Sequence, residues 1–220
     1  MTVIKICGIK TLADGLAAIE AGADYLGFNF YPKSARFIEV QACERMTSVL
    51  KAEHPSITLV GVFVNAPLSD IQYILQTCRL DLAQLHGDEK LQNFIRLAPF
   101  AFKAFRGVSD YMDEYIRNDP PAFLIDASVT GKYGGTGITA DWQMAASLAR
   151  RYDFFLAGGL NADNVAEAVR HVQPWGVDVA SGVEKAPGVK DAAKMKDFVQ
   201  AVYSLTEAGQ DLHQVELERR

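Results

Sequence analysis

The chain has 220 residues, 49% of them hydrophobic, and 22 basic against 27 acidic side chains give a net charge of −5. That balance, with no basic run, argues against a nucleic-acid or anionic-membrane partner; no apolar stretch is long enough for a membrane span, and three scattered cysteines make no disulfide framework. The reading is a soluble, cytoplasmic protein of a reducing compartment, with enough apolar surface to bury a sizeable core.

The chain opens on a strand, Val3 to Cys7, rather than on a signal peptide. Thr11 caps a helix with Leu12, Leu16, Ile19 and Ala23 inward, and Gly22 ends it. Asp24 to Phe30 is a second strand, followed by the charged loop Tyr31 to Arg36 and a helix from about Glu39 to Glu53. The continuous apolar run Ile57 to Val64 suits a parallel strand buried on both faces, and Pro67 opens the next helix. Asp81 to Leu85 leads through His86-Gly87-Asp88-Glu89 into a helix bearing Leu91, Phe94, Ile95 and Leu97. A fifth strand, Ala101 to Phe105, precedes a helix from about Asp110 to Arg117, and Pro120-Pro121 breaks the chain before a sixth strand, Ala122 to Asp126. The glycine-rich loop Ser128 to Thr139 comes next, and Asp141-Trp142 starts a helix. The seventh strand, Phe154 to Leu156, turns through Gly158 and Gly159 into a helix from about Ala162 to Val172, with Asn161 and Asp163 as N-cap candidates. An eighth strand near Val177 to Ala180 ends in Ser181-Gly182, and a last helix spans about Asp191 to Tyr203.

Eight β/α units with no linker-like break predict a (β/α)8 TIM barrel of eight parallel strands over residues 1–205, followed by a charged tail, 206–220. A doubly wound open sheet is the alternative. In a barrel the chemistry lies at the C-terminal ends of the strands, and phosphate commonly sits in the loops after the last two. Gly158-Gly159 and Ser181-Gly182 fall there. Glycines let backbone N–H groups approach an anion, and a helix N-terminus favours one; the bland reading is that they only make tight turns.

Polar residues at strand ends are the candidates for chemistry. Cys7 sits at the rim beside a glycine, whereas Cys43 and Cys78 fall on apolar helix faces and read as packing. Asp126 ends strand six, where an acid needs a partner or a task. Arg36 is suited to a substrate carboxylate unless it is a solvated loop charge, and His86 equally suits a cap or a backbone bond. Lys5, two residues before Cys7, shares its strand face and points into the barrel, with Asp178 on the neighbouring strand as first choice of partner.

Lys5-Ile6-Cys7-Gly8-Ile9, Gln84-Leu85-His86-Gly87, Gly134-Gly135-Thr136-Gly137, Leu156-Ala157-Gly158-Gly159-Leu160, Ser181-Gly182-Val183-Glu184 and Pro187-Gly188-Val189-Lys190-Asp191 resemble, in order and spacing, the phosphoribosylanthranilate isomerases of tryptophan biosynthesis. The resemblance runs from residue 3 to about 203. It implies a barrel without cofactor or metal, a monomer or homodimer, whose substrate is a small phosphosugar–anthranilate adduct. The implied reaction is the Amadori rearrangement of N-(5-phosphoribosyl)anthranilate to 1-(2-carboxyphenylamino)-1-deoxyribulose 5-phosphate. Cys7 would be the general base and Asp126 the general acid, with Arg36 holding the anthranilate carboxylate. Gly135, Gly158, Gly159, Ser181 and Gly182 would hold the 5′-phosphate, with His86 and Asp178 as further site residues.

Ring opening needs a proton on the furanose oxygen, and a proton must then leave C2′, so one group must be protonated while the other is not. Asp126 as acid calls for a raised pKa and Cys7 as base for a lowered one. The chain departs from the family pattern at Ala35, Ala140 and Ala180, none of which touches the acid or the base. Two other readings compete. A histidine-pathway aminoaldose isomerase would show aspartates in both catalytic positions and two-fold internal repetition. A non-catalytic phosphosugar-binding barrel would have lost the acid or the base.

Overall fold

Eight short parallel strands, each hydrogen-bonded to the next and the last to the first, close a barrel in the computed structural model. They are β1 (Val3–Cys7), β2 (Tyr25–Asn29), β3 (Thr58–Phe63), β4 (Leu82–Leu85), β5 (Ala101–Arg106), β6 (Leu124–Asp126), β7 (Phe155–Ala157) and β8 (Gly176–Val179). The helices are α1 (Leu12–Ala21), α2 (Val40–Glu53), α3 (Leu68–Thr77), α4 (Leu91–Leu97), α5 (Ala140–Ala149), α6 (Val165–Val172) and α7 (Ala192–Leu217). After β8 a small antiparallel hairpin, β9 (Glu184–Ala186) and β10 (Val189–Lys190), stands apart from the barrel. The structure describes residues 1–107, 109, 111–127 and 140–217, with side chains at all of these except 140, 141 and 205–217.

Alternation along each strand sorts the apolar residues into two sets. Val60, Leu82, Phe102, Ala104, Leu124, Phe155 and Ala157 fill the barrel interior. Ile4, Ile6, Leu26, Phe28, Leu59 and Ile125 join the larger cluster packed against the helices. Both faces being apolar explains why the strands read as continuous hydrophobic runs. Toward the N-terminal end the Phe155 ring meets Tyr25 at 5.3 Å and Trp175 at 5.0 Å, edge to face, and plugs the barrel.

Several local expectations hold in detail. Thr11 Oγ1 accepts from the Asp14 N–H at 3.1 Å, and Gly22 ends α1 in the left-handed region. Others need correction. Where a helix was expected from about Asp110 to Arg117, the described residues form only a 3-10 turn, Met112–Tyr115. Arg117 there donates to the carbonyls of Pro99, Asp119 and Pro120, folding the chain back before a full helix develops. Helix α6 begins at Val165 with Asn164 as N-cap, three residues later than expected. The Asn161 side chain instead accepts from the Asp163 and Asn164 N–H groups at 2.8 and 3.2 Å, building a turn ahead of the helix. The last helix continues to Leu217 rather than stopping at Tyr203, since no proline interrupts it.

Candidate active site

A cavity of about 490 Å³ opens at the C-terminal ends of the strands. Cys7 from β1, Asp126 from β6 and Asp178 from β8 reach it from three sides. Arg36 from the loop after β2, His86 after β4, Gly158 and Gly159 after β7, and Ser181 after β8 complete its wall. Gly182 is not among the lining residues, and Gly135 lies outside the described residues.

Cys7 is buried and has no ordinary neighbour on β2. Its register partner is Gly27, and a Cβ there would stand 2.7 Å from Sγ, so the glycine leaves room for sulfur. One step down the same face, Lys5 is fully buried and its Nζ donates to Asp178 Oδ1 at 2.7 Å, its register partner across the closure of β1 on β8. This is the pair expected from strand facing. Burial pulls the Lys5 pKa down, but Asp178 and Cys7 outweigh it and hold the ammonium above the ordinary lysine range. Cys7 goes the opposite way from expectation: its pKa is raised, not lowered. Burial pushes the thiol up, Lys5 pulls it back, Asp178 adds to the rise and Lys190 opposes it. Desolvation wins because the sulfur lies inside the barrel mouth.

Arg36 does not hang free over the mouth. Its Nε and Nη2 donate to the two oxygens of Glu184 at 2.7 and 2.8 Å, a fork-to-fork pair. Gly8, at φ +83°, leaves the space in which the Arg36 methylenes lie. Glu184 also accepts from Lys190 Nζ at 3.2 Å, and that ammonium donates to the Ala180 carbonyl at 2.8 Å. Burial pushes Glu184 up, but Arg36 and Lys190 outweigh it and leave the carboxyl below its usual range. Burial dominates at Lys190 and lowers its pKa despite Glu184 and Cys7. Nε and Nη2 are thus both engaged by Glu184, and Arg36 itself lines the cavity.

The two glycine loops differ in what they require. Gly158 and Gly159 both have positive φ, +104° and +63°, and a Cβ at Gly159 would meet nothing within 4 Å. The need there is conformational, since both residues lie in the left-handed region that glycine adopts without cost. At Gly182 the need is steric, since a Cβ would overlap the Leu160 carbonyl. Gly182 is where the loops after β7 and β8 touch.

His86 pairs with Gln84, its Nδ1 lying 2.8 Å from Gln84 Nε2. Burial lowers the His86 pKa although Asp126 and Asp178 raise it, which favours the neutral imidazole. Behind this pair Lys103 and Glu89, both buried, meet at 2.8 Å. Glu89 binds the N–H groups of Asn65 and Gly87, joining the loops after β3 and β4. No group of three or more His, Cys, Asp or Glu among the described residues could hold a metal ion.

Glu184, Lys190 and Gln84 carry this geometry, yet the sequence reading gives none of them a role. Each falls inside a family motif, which is the only signal the sequence offers; a separation of 148 positions between Arg36 and Glu184 hides their pairing.

Comparison with known proteins shows the family. The family model described as N-(5′-phosphoribosyl)anthranilate isomerase matches residues 4–201. The N-(5′-phosphoribosyl)anthranilate isomerase of Geotalea uraniireducens is 46% identical over 209 residues, covering 93% of this chain and all of that one. The crystal structure of phosphoribosyl anthranilate isomerase from Thermotoga maritima superposes with a TM-score of 0.79 at 38% identity, over 93% of this chain and all of that one. A further crystal structure of this isomerase, in complex with reduced 1-(o-carboxyphenylamino)-1-deoxyribulose 5-phosphate, gives 0.77 at 35% identity, over 93% of this chain and all of that one.

Proposed function

Since this chain belongs to the N-(5′-phosphoribosyl)anthranilate isomerase family and catalyses the aldose–ketose isomerisation of tryptophan biosynthesis, we propose how its own residues divide the work. The observation that carries the reading is that Cys7 and Asp126, on strands that are not neighbours, line one and the same cavity. The 5′-phosphate sits against Gly158, Gly159 and Ser181, and the anthranilate carboxylate against the outer edge of Arg36. Glu184 holds that guanidinium in place, so binding does not have to order a long side chain. Asp178 keeps Lys5 charged beneath Cys7.

Asp126, as general acid, gives a proton to the furanose oxygen as the C1′–O bond breaks and the anilino nitrogen forms the C1′=N bond. The resulting iminium is a cation inside the cavity. Cys7 as thiolate takes the proton from C2′; the C–H electrons form the C1′=C2′ bond, and the nitrogen recovers its lone pair. The enolamine then tautomerises to the aminoketose. Lys5 and Lys190 favour the thiolate against its burial, and the iminium adds positive charge beside it.

Cys7→Ser and Asp126→Asn test the assignment in a steady-state assay that follows loss of the fluorescent anthranilate adduct. Each should lower kcat by at least about 100-fold, the scale of one acid or base, with unfolding nearly unchanged. Full turnover in either variant would sink the division of roles. All the side chains named come from one chain, so the scheme suits a monomer or a homodimer.

A further inference from the structure

Lys103 is a charge on the face of the barrel that turns away from the substrate. Alternation along β5 puts it with Ala101 and Phe105, which pack against the helices, and it is only 4% exposed. Its partner Glu89 is 5% exposed, and neither is among the residues lining the cavity. Taking two charges out of water is costly, so a buried pair is weak evidence for stability and asks for another reason.

That reason lies in what the pair holds. Lys103 Nζ donates to the carbonyls of Leu85, at 3.3 Å, and of Gly87, as well as to Glu89 Oε2 at 2.8 Å. Leu85 and Gly87 are the two neighbours of His86, which lines the cavity. From the other side Glu89 Oε1 accepts from the N–H groups of Gly87 at 3.0 Å and Asn65 at 2.8 Å. The His86 N–H itself donates to the Phe63 carbonyl at 2.8 Å. The Tyr115 hydroxyl donates to the Glu89 carbonyl at 3.1 Å, which ties in the turn after β5. A Cβ at Gly87 would stand 2.5 Å from Asn65 Oδ1, so the loops after β3 and β4 touch with no room between them. The backbone on both sides of His86 is therefore gripped by one buried ammonium and one buried carboxylate, and the imidazole alone is left to face the cavity. We propose that Lys103 and Glu89 are positioning residues for the isomerisation: they clamp the loop after β4 and so set where His86 stands in the cavity wall. The inference rests on the reading of this cavity as the isomerase active site, and it adds two groups that never touch the substrate.

The test is a double-mutant cycle in kcat/KM on N-(5-phosphoribosyl)anthranilate, at a temperature where circular dichroism shows every variant folded. Lys103→Met should lower kcat/KM by roughly 10- to 100-fold, the scale of a site group displaced by about 1 Å. His86→Ala should lose at least as much, with the same split between kcat and KM. Adding Lys103→Met to His86→Ala should then cost less than about 3-fold more, because residues that act as one unit are not additive. A Lys103 that is merely structural slows both backgrounds alike or slows neither, and either result overturns the proposal. A His86→Ala variant as fast as wild type does the same, since nothing is then left to position. Glu89→Gln keeps the side-chain shape and one acceptor for the loop N–H groups, and should show a smaller loss that again vanishes in the His86→Ala background. Where Lys103→Met does not fold, this second cycle decides by the same criteria. Absence of turnover in the wild type would instead overturn the isomerase reading, and the proposal with it.

Discussion

Lys5→Met is the substitution whose cost can be worked most directly from the structure. Lys5 is fully buried, its partner Asp178 is 10% exposed at the side chain, and their charged atoms are 2.7 Å apart. Removing the lysine leaves a carboxylate that has lost its counter-charge in a place where water reaches it only from the cavity. Breaking a buried pair from one side costs about 3–5 kcal/mol, and the cavity contact argues for the lower end. At about 2–4 °C per kcal/mol for a chain of this size, the melting temperature should fall by roughly 6–12 °C. The double variant Lys5→Met/Asp178→Leu removes both charges and should recover most of the loss, because the pair's own desolvation cost disappears with it. Lys5 has a raised pKa in the fold, so its contribution is fully present below the ordinary lysine value of 10.5 and is lost only as pH rises through the higher folded value. The comparison should therefore be flat across about pH 6 to 9. Urea unfolding followed by tryptophan fluorescence is the assay, since Trp175 packs on Phe155 at the barrel's other end. A single variant within about 1 kcal/mol of wild type, or a double variant no better than the single, would refute the reasoning.

Three further outcomes are expected. Arg36→Met should raise KM by roughly 10- to 100-fold with a smaller effect on kcat, as befits a lost charged hydrogen bond. Glu184→Gln should do the same more weakly, and an unchanged KM in both would remove Arg36 from the substrate carboxylate. Gly159→Ala should cost about 1–2 kcal/mol, a purely conformational penalty, and should raise KM. Gly182→Ala should be the more damaging to unfolding stability, because the backbone at Leu160 must move; equal stability in the two variants would contradict the close approach. Lys190→Met removes a cation that lowers the Cys7 pKa, so the alkaline-rising limb of kcat/KM should move to higher pH. A limb that stays put or moves down would mean that Lys190 does not act on the thiol.

What the sequence could disclose follows from how local each signal is. Eight alternations of apolar run and helical pattern need only neighbouring residues, so the barrel was legible, and with it the rim positions of Cys7 and Asp126. The Lys5–Asp178 pair was also within reach, because two residues of spacing put Lys5 on the Cys7 face and barrel closure makes β1 and β8 neighbours. Arg36 was read as a single charge because its partner lies on a hairpin outside the barrel repeat, whose register no periodicity announces. The sign of the Cys7 shift was missed for a different reason. A lysine two residues away suggests a lowered pKa, but burial is a property of the closed barrel, and there it outweighs the lysine. The turn at Met112–Tyr115 escaped because the contacts that shape it, from Arg117 to backbone carbonyls, reach outside the local pattern.

The charge pattern around Cys7 also bears on the proposed chemistry. Two ammonium groups act on the thiol, and each is tied to its own carboxylate, Lys5 to Asp178 and Lys190 to Glu184. Glu184 is shared further with Arg36, which leaves the rim one positive charge richer than these two carboxylates can neutralise. That surplus suits a substrate carrying a carboxylate and a phosphate, while burial still outweighs it at the Cys7 thiol. In the proposed mechanism the order follows from the substrate itself: C2′ gives up its proton readily only once the ring has opened and C1′ has become an iminium carbon. The acid therefore acts before the base, and the iminium places positive charge beside Cys7 at the step that uses the thiolate.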